Sequence, residues 1–152
     1  MPLSPENMLK ALYDTLPDPV LVVDANRCIL AANPATAEKF GYTAEELVGM
    51  NAVGLYASSR DAEAIGNALY PLSREANSIH RRLDLRRKDG SVFPSELTVS
   101  PIKLADGEAL GSVALVRDLS EIYRVQEQRL RAETILNTCL LYTSDAADDL
   151  LC

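Results

Sequence analysis

In Ile79-His80-Arg81-Arg82-Leu83-Asp84-Leu85-Arg86-Arg87-Lys88-Asp89-Gly90-Ser91-Val92-Phe93-Pro94-Ser95-Glu96-Leu97-Thr98-Val99-Ser100, apolar and polar residues alternate on both sides of a single turn. Ile79, Leu83 and Leu85 take turns with His80, Arg82, Asp84 and Arg86, and after Asp89-Gly90 the residues Phe93, Leu97 and Val99 take turns with Glu96, Thr98 and Ser100. Successive side chains of an extended chain point to opposite faces, so a period of two predicts strands with one buried face. An Asp-Gly pair between two such runs predicts a tight hairpin turn. Asp106-Gly107 repeats that signal before a last strand through Val113, Leu115 and Val116. The second half therefore reads as an antiparallel meander whose Leu83, Leu85, Phe93, Leu97, Val99, Val113 and Leu115 share the face turned to the core.

Upstream the signals are shorter and more mixed. Val20 to Val23 is an apolar, β-branched run, Asp24-Ala25-Asn26 supplies turn chemistry, and Cys28 to Ala32 predicts a second strand, giving a hairpin. Asn33-Pro34 then places a capping side chain before a proline, with Gly41 as the stop of a short helix. Thr43 and Glu46 have the spacing of a capping box, with Gly49 as its stop. From about Asp61 to Tyr70 a third helix places Ile65, Ala68 and Leu69 on one side and ends before Pro71. An amphipathic lead-in helix with Met8, Leu9, Leu12, Tyr13 and Leu16 ends at Pro17-Asp18-Pro19, and after Ser120 the glycine- and proline-free segment 121–136 predicts an exit helix.

Composition narrows the function classes. The chain of 152 residues suits one domain with an appendage, and 47% apolar with 24% charged residues describes a folded chain. A formal net charge of −7 repels phosphate backbones and anionic lipid, so neither nucleic acid nor a direct membrane contact is the expected partner. No apolar run reaches the roughly 20 residues that span a bilayer, and residues 1–10 lack a signal-peptide core. Cys28, Cys139 and Cys152 are odd in number without a C-x-x-C pair, which fits neither a disulfide framework nor a zinc site. A cytoplasmic location is expected, any membrane anchor belonging to a longer parent protein.

Four sequence pieces, in order and at characteristic spacing, carry a resemblance. They are Val23-Asp24-Ala25-Asn26 leading to Ile29 and Asn33-Pro34-Ala35; Phe40-Gly41-Tyr42-Thr43 with Glu45-Glu46-Leu47-Val48-Gly49; Arg87-Lys88-Asp89-Gly90-Ser91 with Phe93-Pro94; and Val116-Arg117-Asp118-Leu119-Ser120. Over roughly residues 6–136 the chain resembles the PAS family. The resemblance implies an α+β fold, a five-stranded antiparallel sheet with short helices on one face, flanked by an N-terminal lead-in helix and a C-terminal exit helix. It also implies a ligand cavity between sheet and helices, for which Phe40, Leu47, Ile65, Leu69, Leu85, Leu97, Val99, Val113 and Leu115 are the candidates. Signal relay to the exit helix would run through Asp118 and Ser120. Arg27 stands where many relatives have glycine, and Asn26 is expected to take the positive φ of that turn instead.

The chemistry of particular cofactors finds little support. Flavin photoreceptors of the family need a cysteine in the segment that here reads Gly49-Met50-Asn51-Ala52, and Ala52 forms no adduct, while Cys28 on a strand reads as core filling. Haem-binding relatives hold iron through a helix histidine, whereas the single histidine, His80, starts a strand on its polar face. No cofactor and no metal are expected, with a haem- or flavin-binding sensor as the alternative. Arg81, Arg82, Arg86, Arg87 and Lys88 read as a solvated strand face and hairpin tip, and Glu45, Glu46, Asp61 and Glu63 as capping and helix-dipole residues. With no nucleophile, metal set or phosphate loop, the chain reads as a regulatory domain and not an enzyme.

The expected division is a lead-in helix at 1–16, a PAS domain at 17–119, a linker helix at 120–138 and a tail at 139–152. That tail departs from the helix's charge pattern and resembles a translated sequencing-library adapter. On this reading the parent protein continues past about residue 138 into an output domain in cis, of the sensor histidine kinase or diguanylate cyclase type in two-component phosphorelay signalling. The alternative is a free-standing interaction domain. Ile122, Val125, Leu130, Ile135 and Leu136 make a ragged heptad with little apolar surface, so a homodimer through the flanking helices is expected, together with a small-molecule ligand.

Overall fold

The computed structural model describes residues 4–151, with side chains described as far as residue 140. The side chains of the expected tail from residue 141 onward, and Cys152 altogether, lie outside the described residues. The chain forms α1 (Pro5–Thr15), β1 (Val20–Asp24), β2 (Ile29–Ala32), α2 (Pro34–Phe40), α3 (Ala44–Leu47), a 3-10 turn (Ala52–Leu55), α4 (Ser59–Leu69), β3 (Ile79–Arg86), β4 (Val92–Lys103), β5 (Ala109–Asp118) and α5 (Ser120–Leu151). Two units result, Met1–Asp118 and Leu119–Cys152. The first holds a five-stranded sheet in the order β2-β1-β5-β4-β3, with every neighbouring pair antiparallel.

Local chemistry sets the helix boundaries. The Asn33 side chain caps α2 by accepting from the Thr36 N–H, proline follows at the first turn, and Gly41 closes the helix in the left-handed region at φ 79°. At α3 the Thr43 hydroxyl accepts from the Glu46 N–H while the Glu46 carboxylate accepts from the Thr43 N–H, the reciprocal capping box. Asn33 does more than cap. Its Oδ1 accepts from the N–H groups of Val20 and Thr36 and from the Thr36 hydroxyl, and its Nδ2 donates to the carbonyls of Tyr13 and Asp18. One buried amide thereby ties α1, β1 and α2 together with every polar atom partnered, which is the condition for burying it.

The inner face of the sheet and the short helices share one core: Leu21, Val23 and Ile29 from the first hairpin, Phe40, Leu47, Leu55, Ile65 and Leu69 from the helical segments, and Ile79, Leu85, Phe93, Leu97, Val99 and Val116 from the meander. Leu83 is half-buried against it.

The register of β5 corrects the expectation for Val113 and Leu115. Leu97 pairs with Val116 and Val99 with Ala114. Directly opposed residues share a face, so Ser112, Ala114 and Val116 turn inward while Val113 and Leu115 turn outward, Leu115 being 45% exposed. Two of the inward residues, Ser112 and Ala114, are smaller than the outward Val113 and Leu115. Turned inward, Ser112 bonds the Tyr70 hydroxyl at 2.9 Å and Ala114 borders a void.

The turn after β1 holds a second correction. Arg27 itself, not Asn26, takes the positive φ, at 65°. The Asp24 carboxylate accepts from the Asn26 and Cys28 N–H groups around it, which stabilises the turn whichever residue carries the unusual angle.

In the second unit, α5 begins at Ser120 itself rather than after it and continues through the boundary expected at residue 138. It carries i,i+4 pairs between Arg131 and Glu127 and between Arg129 and Glu133, and Val125, Leu130, Ile135 and Leu136 are exposed. Among the described residues, no helix is long and apolar enough to cross a membrane.

Candidate functional site

Between the sheet and the short helices lies an apolar cavity of about 30 Å³. Leu21 and Val23 of β1, Leu85 of β3, Leu97 of β4 and Ala114 and Val116 of β5 form its sheet side, and Phe40, Ala52, Leu55 and Tyr56 face them. Phe40 packs on Phe93 with ring centroids 5.5 Å apart and planes tilted by 59°, an arrangement aromatic quadrupoles favour.

Of the sequence candidates, Phe40, Leu85 and Leu97 reach this cavity. Leu47, Ile65, Leu69 and Val99 belong to the surrounding core without bordering it. Val113 and Leu115 lie on the other face of the sheet. Leu21, Val23, Ala52, Leu55, Tyr56, Ala114 and Val116 are not among the sequence candidates. The 3-10 turn that delivers Ala52 and Leu55 is only four residues long, too short to show a period, and only the capping Asn51 before it marks it in the sequence.

Phe40 ends α2, and its neighbour Lys39 reaches the other end of the proposed relay. Lys39 Nζ lies 2.8 Å from Asp118 Oδ2 at the end of β5. The Lys39 carbonyl in turn accepts from Arg87 Nε, and the Arg87 guanidinium stands 4.6 Å above the Phe93 ring. Arg87 is therefore a tie between the β3–β4 turn and α2 as well as a member of the basic run. Lys88 pairs with Glu46 at 2.7 Å. His80, exposed on the outer face, places Nε2 2.7 Å from Glu96 Oε1 and Nδ1 2.8 Å from Thr98 Oγ1.

A polar cluster adjoins the cavity on the Tyr56 side. The Arg27 guanidinium lies 5.6 Å from the ring centroid of Tyr56 and 5.6 Å from that of Tyr70, and its Nη1 donates to the Ala62 carbonyl at 3.0 Å. Burial pushes the Tyr56 phenol up, with Arg27 pulling the other way, so at neutral pH this hydroxyl is protonated and can donate. Cys28 is half-buried and bridges to Asn51 through the backbone, away from the cavity wall. Among the described residues no group of His, Cys, Asp and Glu is placed to hold a metal ion.

A model of the PAS fold matches residues 7–119. A nitrogen fixation regulatory protein of Klebsiella oxytoca is 29% identical over 128 residues, 84% of this chain and 26% of that protein. The probable diguanylate cyclase DgcE of Escherichia coli (strain K12) is 22% identical over 121 residues, 79% of this chain and 11% of that protein. The chain thus spans about a quarter of the first relative's length and less of the second's. Among solved structures, the PAS domain of a protein from Colwellia psychrerythraea matches with a TM-score of 0.70 at 19% identity, covering 78% of this chain and 99% of that one. At that identity the likeness shows the fold.

Proposed function

The chain belongs to the PAS family, and from that premise we propose that it is a sensory module in which a small molecule entering the cavity moves α2, and α2 moves Asp118 through Lys39. Asp118 is covalently one step from the segment that starts α5, so a shift there reaches Ser120 and the helix that leads to an output domain in the longer parent protein. That parent is of the histidine kinase or diguanylate cyclase type and acts in the cytoplasm as a homodimer through α1 and α5. The module itself performs no chemistry.

The observation that carries this reading is the placement of Phe40 and Lys39 as neighbours at the end of one short helix, one on the cavity wall and one gripping Asp118. An ion pair between part-exposed side chains typically adds only about 0.2–1 kcal/mol of stability. Such a contact is easily made and broken, which suits a coupling better than a structural prop.

The test is an amide ¹⁵N–¹H titration with n-propanol as the probe. Shifts at Phe40 and Leu97 with accompanying shifts at Asp118 and Ser120 are expected in the wild type, and only the first set in Lys39→Met. Equal shifts at Asp118 and Ser120 in both proteins would remove the Lys39 route, and no response at Phe40 would remove the cavity as a sensing site.

A further inference from the structure

We infer that the ligand of this cavity is a short-chain monocarboxylate, its carboxylate held by the Arg27 guanidinium and its hydrocarbon tail lying beyond the Tyr56 ring; this rests on the proposed sensing role of the cavity.

The argument begins with the charge. Arg27 turns its side chain inward from a backbone at φ 65°, an unfavourable conformation for a residue with a Cβ. The guanidinium carries five N–H donors; one goes to the Ala62 carbonyl and another reaches the Tyr56 hydroxyl oxygen, both neutral acceptors. Among the described residues it makes no ion pair with a carboxylate. A half-buried cation is normally paired, because partial desolvation removes the water that would otherwise compensate it. In a chain of formal net charge −7, the missing counter-ion at this position is not for want of acidic residues. The two flanking tyrosine rings stabilise a cation through their faces, which leaves the planar edge of the fork for a planar anion. A carboxylate matches that edge with two parallel hydrogen bonds.

Neutral donors stand beside it. Tyr56 is protonated at neutral pH, and Tyr70 holds its hydroxyl 2.9 Å from Ser112 Oγ; the Asp61 carboxylate, whose charge is felt at Tyr56, makes no ion pair with the guanidinium among the described residues. Helix α4 leaves room for the arrangement, having glycine at position 66 beside the guanidinium.

The tail is set by the cavity. Tyr56 borders both the guanidinium and the apolar void, so a molecule anchored at Arg27 passes this ring to reach Val23, Leu85 and Ala114. A volume of about 30 Å³ is roughly two to three times the space one water-sized probe needs, which corresponds to a tail of about two or three carbons. Propionate and butyrate have that size. A flavin or a haem does not fit without wholesale repacking.

The experiment compares propionate with n-propanol, and butyrate with n-butanol, on the full chain by ¹⁵N chemical shifts and calorimetry. Each acid is expected to bind about tenfold to a hundredfold more tightly than its alcohol, the range for a charge-assisted bidentate contact, and to shift the Arg27 Nε–H resonance. Arg27→Gln is expected to abolish the acid's advantage while leaving alcohol binding within about twofold. Alcohols binding as well as acids, with no movement of the Arg27 Nε–H, overturns the inference and leaves the sensing cavity standing. Neither acid nor alcohol perturbing Phe40, Leu85 or Leu97 overturns both. Should Arg27→Gln fail to fold, the Arg27 Nε–H response of the wild type to acid against alcohol decides the matter alone.

Discussion

The guanidinium of Arg27 occupies the space that a side chain on Gly66 would need: a Cβ built at position 66 would stand 2.9 Å from Arg27 Nη1. Glycine in a helix interior costs about 1 kcal/mol against alanine, so α4 is weaker in isolation than it need be, and the loss makes room for a side chain from the turn after β1. A double-mutant cycle isolates this pairing. Gly66→Ala alone displaces a guanidinium whose hydrogen bond contributes about 1 kcal/mol and whose two ring contacts contribute about 0.5 kcal/mol each, and a net loss of about 1 kcal/mol is expected after the gain in helix propensity. In an Arg27→Ala background the same change should stabilise by about 1 kcal/mol. Urea unfolding of the four proteins reads the sign reversal, and a gain in both backgrounds would dissolve the pairing.

Asn33 should tolerate neither of its small replacements. Alanine removes the α2 cap and orphans donors and acceptors on Tyr13, Asp18 and Val20, an expected loss of about 2–4 kcal/mol. Aspartate keeps the accepting oxygen for Val20 and Thr36 but turns its second oxygen on the carbonyls of Tyr13 and Asp18, where Nδ2 now donates. Aspartate is therefore expected to be no better than alanine at pH 7, although it is the equal of asparagine at an ordinary cap. Thermal unfolding of the two variants that ranked aspartate near the wild type would show the Nδ2 bonds to be dispensable.

Tyr13 offers the opposite case. Among the described residues its buried hydroxyl has no hydrogen-bond partner, and burial, followed by the nearby Asp14 charge, pushes its ionisation up. Removing an unsatisfied polar atom while keeping the ring returns its desolvation cost. Tyr13→Phe is expected to raise stability by up to about 1 kcal/mol, and a loss in equilibrium unfolding would reveal a partner for that oxygen.

Glu46 predicts a pH effect. The hydrogen bond from Lys88 first, and the Thr43 backbone bond second, hold its carboxyl below the usual range. A group depressed in the folded state contributes stability above its unfolded pKa and loses it as pH falls through the folded one. Glu46→Gln should accordingly narrow the difference in melting temperature between about pH 6 and pH 3, most visibly at low salt because the pair is exposed. An unchanged difference would assign the acid limb to other carboxylates.

Much of the architecture was legible because its signals are local. Asn33-Pro34 with Gly41, and Thr43 with Glu46, announce helix ends through backbone groups within a few residues of one another, and the structure has these caps. The alternation through β3 and β4 gave the buried face of both strands, since Leu85, Phe93, Leu97 and Val99 are large and their neighbours polar. In β5 the same reasoning failed. Val113 and Leu115 alternate as apolar residues, yet pairing to β4 turns Ser112, Ala114 and Val116 inward.

What the sequence determined by itself, then, was the order of elements, their caps and the family they belong to, because hydrophobic period and capping act between residues near in the chain. Which side chains border the cavity was decided only by tertiary structure. Strand register, the approach of Tyr70 to Ser112, and the meeting of Arg27 with Tyr56 and Gly66 join residues up to 95 positions apart. No local propensity encodes such distances, because they depend on how small residues on one element leave room for large ones on another.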